Sequence, residues 1–460
     1  MKCVQSNRNI LAPLGILLVL SVFSVQADDR WKDAEISGGD EDVGTGLEII
    51  LRKHGSQLGF DRIRQVRQQF RTLPETDHPT HFIKILRTDS QEPIWVPFEH
   101  PGIIYGAPPI TEEEAASPGQ KHIIRRDSSP YAINLKLPSG SHKIQLFDSA
   151  KRLLDERSIP KIRQKPRRVK PKKIRGDKFL KNDGGSVSLT PDQPQSLADV
   201  LTALIISNAH AEPPEQPNLE ARSVESVVRI AFISDGYAAT DETDFENGVD
   251  NFVAFLLNLE PLKTRADELE FYKIFNLTSL DCEYDPAVDR LLTCDNSLVV
   301  EAANDTGFAY DLIAVIVNNP NYGGSGGQIP VANNGPLGPA IFAHEFGHAF
   351  ARLTDEYVVC PSATNCPYQG GSDTNCYFGV PPAPVWEAVV NPIQYVQNCK
   401  FANWYRSSVT SIMRSVGGNA VFNPISQYFI GQKLDSYRAD EGDNSNDLPR
   451  PPTVFRNGAL

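Results

Sequence analysis

Methionine is nearly absent from this chain: 460 residues contain two, the initiator and Met413. Histidine is scarce toward the C-terminus, where only His344 and His348 occur beyond residue 210. No stretch after residue 27 is long and apolar enough to cross a bilayer as a helix, which argues against a helical channel or transporter. No CxxC pair occurs, which removes the commonest cysteine-based zinc sites. Basic charge is not in excess either. The net charge of −12 argues against nucleic acid as the main partner.

The N-terminus has the pattern of a secretory signal. Lys2 and Arg8 supply positive charge, Ile10 to Phe23 is apolar, and Val25-Gln26-Ala27 fits a small-residue cleavage site, so the mature chain is expected to begin at Asp28 in a secreted or periplasmic protein. Of the seven cysteines, Cys3 leaves with this leader. The others are Cys282, Cys294, Cys360, Cys366, Cys376 and Cys399, an even set that reads as disulfides in an exported chain. Loop closure favours Cys282–Cys294, leaving four to tie down the segment that follows the HExxH helix described below.

The length fits two or three domains. Residues 28–160 form an expected N-terminal accessory or pro-domain, polar and partly helical up to about residue 75. Beyond that, alternating segments such as His81 to Leu86, Tyr131 to Leu137 and His142 to Phe147 predict a small β-sandwich. Lys161 to Arg175 holds nine Lys or Arg and no acid. With the Pro-rich stretch up to residue 225 it reads as a solvated linker. Arg167-Arg168 and Lys172-Lys173 would be processing sites if the N-terminal part is removed. Residues 226–440 have α/β texture, with strands at Val227 to Ile233, Phe271 to Leu280 and Leu312 to Val317. Phe245, Val249, Phe252, Leu256 and Leu259 share a helix face, and further helices are expected from about Pro339 and from Pro424 to Tyr437. Residues 441–460 read as a tail.

His344-Glu345-Phe346-Gly347-His348 is an HExxH sequence. Two imidazoles four residues apart share one helix face and can reach one ion, while Glu345 projects beside them as a base toward water. Because no third histidine exists in this domain, a carboxylate must complete a three-ligand site. Asp355 and Glu356 are nearest; Glu387 would be a more distant choice. On an unbroken helix Asp355 would lie roughly 10 Å beyond His348, so the helix must end near Ala351 to Leu353 and the chain must turn back. Acids at Asp281, Asp285, Asp289 and Asp295 offer a calcium site, with solvated surface carboxylates as the simpler account.

Ser411-Ile412-Met413, about 65 residues after His348, resembles the Met-turn that metzincin peptidases place beneath their zinc. Leu353-Thr354-Asp355 resembles their Leu-x-Asp step, although Ala351 stands where a Gly usually makes the turn, and Ser415 where some carry a Tyr, for which Tyr357 would be a substitute. With Ile233-Ser234-Asp235-Gly236-Tyr237, Phe275-Asn276 and Leu353-Thr354-Asp355-Glu356-Tyr357, the HEFGH block resembles the bacterial IgA-peptidase-type zinc peptidases, family M64, over roughly residues 226–440. The resemblance implies a metzincin-like α/β catalytic domain with a mixed twisted sheet, one catalytic Zn2+ and a protein or peptide substrate. His344, His348 and Asp355 (alternatively Glu356) would bind the metal, Glu345 would be the general base, and Met413 the Met-turn residue. The Gly-rich run containing Gly323 and Gly324 would offer a strand edge to substrate, or else be a plain loop. The rival reading is a non-catalytic binding or adhesion protein with a structural zinc site, against which an intact Glu345 argues.

Overall fold

The computed structural model describes residues 32–33, most of 44–68 and 80–160, 171–182, and 227–439 with short gaps, the longest being 361–373. The signal-like leader, Arg167-Arg168, most of the linker and the tail lie outside the described residues.

Nine strands form the main sheet, in the order Lys32–Asp33, Lys172–Arg175, Leu269–Ile274, Val228–Asp235, Leu312–Val317, Val331–Asn333, Gly324–Gly326, Ile104–Gly106 and Ile123–Ile124. The four from Leu269–Ile274 to Val331–Asn333 are parallel; all remaining pairings are antiparallel. The fold is therefore a mixed α/β arrangement. The parallel strands are largely apolar because both faces are covered, and Leu312–Val317 is wholly so. In Val228–Asp235, Val228, Ile230 and Phe232 join one core with Phe252, Phe342 and Phe346, while Ala231 and Ile233 join the opposite core with Val299, Val300 and Ala303. This two-residue alternation assigns the Glu242–Leu256 and Gly338–Ala351 helices to one face and Asn296–Asn304 to the other.

The N-terminal region is β-rich, with a three-stranded and a four-stranded sheet enclosing a core of Leu47, Ile49, Ile83, Ile85, Ile144 and Leu146. The partly helical reading of residues up to 75 is corrected: Gly44–His54 and Gln57–Gln68 are paired antiparallel strands. Leu47-Glu48-Ile49-Ile50-Leu51 is buried on both faces, so it lacks the alternation that marks a half-exposed strand. Ile50 and Ala132 reach the second core of the main sheet. Arg64 meets the buried carboxylate of Glu48 at 2.7 Å, and Asn304 donates to the same carboxylate at 2.6 Å.

The basic run ends in the main sheet rather than in a linker. Lys172–Arg175 pairs with Leu269–Ile274 and leads directly into the Gly176–Asn182 helix, burying Ile174 and Phe179 in the first core. Its charges are met by acids from elsewhere: Lys172 by Glu246 and Lys173 by Glu270. The Lys172-Lys173 pair is thus part of a paired strand. The Cys282–Cys294 disulfide is present, and Cys376–Cys399 is a second. Cys366 lies outside the described residues. No helix among the described residues is long and apolar enough to cross a membrane.

Candidate metal centre

The HExxH residues lie on the Gly338–Ala351 helix, which has a proline in its first turn, where a missing N–H costs nothing. The helix stops at Ala351 because Arg352 adopts a left-handed conformation, φ 56° and ψ 32°. The amides of Arg352 and Leu353 then fold back to donate to the carbonyls of His348 and Gly347. This reversal brings Asp355 over the helix. Its Oδ1 lies 3.1 Å from Nε2 of His344 and 3.1 Å from Nε2 of His348, and the two Nε2 atoms are 3.0 Å apart. All three residues are buried.

These separations fit a common ion. Ligands at typical zinc distances in a tetrahedron lie roughly 3.3 Å apart. Both histidines also have their other nitrogen engaged. Nδ1 of His344 donates to the Ile412 carbonyl at 2.8 Å and Nδ1 of His348 to that of Leu353 at 2.6 Å. That leaves both Nε2 lone pairs directed at the shared point, the tautomer a metal ligand needs. Burial lowers the pKa of His344, which keeps it neutral. Burial works against ionisation of Asp355, while positive charge at the shared point, carried by protonated His348 and His344 rings or by an ion in their place, favours it and holds the carboxyl below the usual range. Among the described residues, these three are the group of His, Cys, Asp and Glu side chains able to share an ion.

Glu345 is fully buried, and neither carboxylate oxygen has a hydrogen-bond partner. Its Oε2 is 4.0 Å from Nε2 of His348. Burial, with the charge of Asp355 adding to it, pushes this carboxyl well above its ordinary value. An orphaned carboxylate beside a converging ligand set fits a group that acts on a small molecule held there.

Glu356 points elsewhere. Its Oε1 accepts from Asn375 at 2.7 Å and Asn423 at 2.6 Å, and burial raises its pKa to about 7. Glu387 lies near Tyr395 Oη, at 3.4 Å, apart from the cluster. Tyr357 is buried with Cys376, Phe401 and Trp404. Met413 is fully buried beneath the helix, so close that a Cβ on Gly347 would come within 2.7 Å of its sulfur. Its turn is tied to the cluster on both sides, since Ile412 accepts from His344 and the Met413 carbonyl accepts from the Glu356 amide at 2.8 Å. Gly324 is in the Gly324–Gly326 strand, with Gly323 immediately before it. A Cβ on Gly326 would lie 2.2 Å from Glu345 Oε2, so this strand runs against the catalytic candidate. Its edge is not open, however, because Ile104–Gly106 pairs along it. Of the candidate calcium ligands, Asp295 caps a helix by accepting from Ser297, Asp281 accepts from Ser279, and Asp289 lies outside the described residues.

Asn375 carries no functional signature in the sequence. Fully buried, it accepts from the Thr354 amide at 2.7 Å and donates to the Thr354 carbonyl at 3.0 Å as well as to Glu356, so it grips both neighbours of Asp355. Its one sequence signal is adjacency to Cys376, whose disulfide anchors it. Tyr322, whose hydroxyl donates to the Pro108 carbonyl at 2.5 Å, was also unsignalled.

No curated protein matches the chain. The model of the IgA Peptidase M64 family matches residues 279–391, the stretch that carries the HExxH helix, Asp355 and Asn375, and the match supports assignment of this chain to the M64 peptidases.

Proposed function

We propose that this protein is a secreted zinc-dependent endopeptidase of metzincin-like design. The observation that carries the reading is the convergence of His344 Nε2, His348 Nε2 and Asp355 Oδ1 within 3.1 Å, with an unpartnered Glu345 beside them. His344, His348 and Asp355 would hold the ion, and Glu356 would brace the loop that carries Asp355. Zinc, when bound, would supply a Lewis acid that polarises a peptide carbonyl and acidifies water. Glu345 would take the proton of the attacking water and pass it to the leaving amine, a role suited to a carboxyl whose pKa burial has raised. The Ser411 to Met413 turn would act as the floor of the site, orienting His344 through the Ile412 carbonyl. The two disulfides support an exported protein, as does the leader-like N-terminus.

The test is Glu345→Ala. It should bind zinc as the unaltered chain does while losing at least about 100-fold in casein hydrolysis. Retained hydrolysis would remove this mechanism.

A further inference from the structure

The strand nearest the catalytic candidate is already paired on both edges. Gly324–Gly326 lies between Val331–Asn333 and Ile104–Gly106, with Ser325 opposite Gly106 and Gly326 opposite Tyr105. An extended peptide binds a sheet most readily by adding to a free edge, where main-chain groups supply the hydrogen bonds. At this site the edge closest to Glu345 is taken by the chain itself.

The occupying segment continues past the strand. The Ala107 amide donates to the Gly324 carbonyl at 3.1 Å, and Ala107 is buried in the first core. Pro108 and Pro109 then end the ladder, since neither has an N–H to offer. Their carbonyls are used instead: Pro108 accepts from Tyr322 Oη, and Pro109 accepts from the Val416 amide at 3.1 Å. Ile110 accepts from the Gly417 amide at 2.9 Å. The segment therefore runs from the strand beside Glu345 to the wall just past the Met413 turn. One ion pair fastens its far end. Glu114 accepts from the Ile110 amide at 2.9 Å and meets Arg290 at 2.7 Å; the Arg290 carbonyl in turn accepts from the Gly324 amide.

We propose that Ile104 to Ile110 is an internal occupant of the substrate groove, a strap paired as a substrate backbone would pair, which must be displaced before a protein substrate can reach Glu345. The inference rests on the peptidase reading above and adds to it a built-in autoinhibitory contact. The strap is fastened mainly by main-chain hydrogen bonds and one ion pair, so loosening the Glu114 end should raise the open fraction without touching the metal ligands or Glu345.

The experiment compares the zinc-loaded full chain with Glu114→Ala, following fluorescent casein hydrolysis and hydrogen exchange at the Ala107 amide. Glu114→Ala should exchange faster at Ala107, and kcat/KM should rise by about tenfold, in proportion to the open fraction. A variant with faster exchange at Ala107 but an equal or lower kcat/KM would overturn the inference and make the strap a permanent wall. If Glu114→Ala leaves exchange unchanged, Ala107→Asp, which places a charge at a buried position of the strap, is judged by the same two readouts. Absence of cleavage in both chains would also overturn it. Zinc content, measured separately, says whether the metal site itself has failed, so loss of this inference and loss of the peptidase reading are distinguishable.

Discussion

Asn375 and Thr354 exchange two hydrogen bonds, side chain to main chain, at 2.7 and 3.0 Å. Thr354 immediately precedes Asp355, and the same Asn375 amide group also donates to Glu356, which immediately follows it. A single buried side chain thus holds the residues on both sides of Asp355, the candidate third ligand.

Asn375→Ala leaves the Thr354 amide and the Glu356 carboxylate without this partner in the interior. Each lost buried partner costs about 1–3 kcal/mol, so a loss of about 2–4 kcal/mol in stability is expected by denaturant titration. Zinc affinity should fall by about 10- to 100-fold, as for other groups that orient ligands. An unchanged affinity would show that Asp355 needs no such support.

Gly347→Ala tests the contact between the helix and the Met413 turn. The added methyl would lie 2.7 Å from Met413 Sδ, 3.2 Å from Leu353 and 3.2 Å from Phe422. Overpacking of this kind costs about 1–3 kcal/mol. Met413→Leu alone should cost less than about 1.5 kcal/mol and keep zinc, because it nearly conserves volume. Thermal unfolding of the two variants and their combination would measure the coupling.

The turn that ends the helix predicts opposite outcomes at one position. Arg352 has φ 56°, where glycine is at ease and β-branched residues are not. Arg352→Val should therefore lose about 1–3 kcal/mol, and zinc affinity with it, whereas Arg352→Gly should hold both close to the unaltered chain. Equal behaviour of the two would remove the turn as the device that delivers Asp355.

Zinc affinity should depend on pH through the imidazoles. Binding needs neutral histidine and ionised aspartate. Burial lowers the pKa of His344, so it stays neutral under mildly acidic conditions, where an aspartate is already ionised. Competition with a chromophoric chelator should give constant affinity above about pH 6.5, the ordinary histidine value, and a decline only below it. A decline beginning at higher pH would contradict the lowered His344 pKa.

Much of the catalytic region is legible in the sequence because its signals are local. HExxH points to two candidate ligands through helix geometry alone, and the lack of another histidine makes an acid the candidate for the third. Leu312–Val317 appears where its apolar run ends, since both faces are buried. Asp355 and Glu356 cannot be separated from sequence, because the choice depends on Asn375 and Asn423, which arrive from 19 and 67 residues away. Lys172–Arg175 reads as solvated because the acids that neutralise it lie in distant elements. Ile104–Gly106 is three residues long, and its pairing with Gly324–Gly326 leaves no pattern in either segment.

Zinc content per chain after gel filtration, measured for Asp355→Ala beside Glu356→Gln, shows which of the two acids holds the ion. Glu356→Gln should retain one zinc and Asp355→Ala almost none, because His344 and His348 alone would leave the ion short of a ligand. Zinc kept by Asp355→Ala and lost by Glu356→Gln would contradict Asp355 as the third ligand.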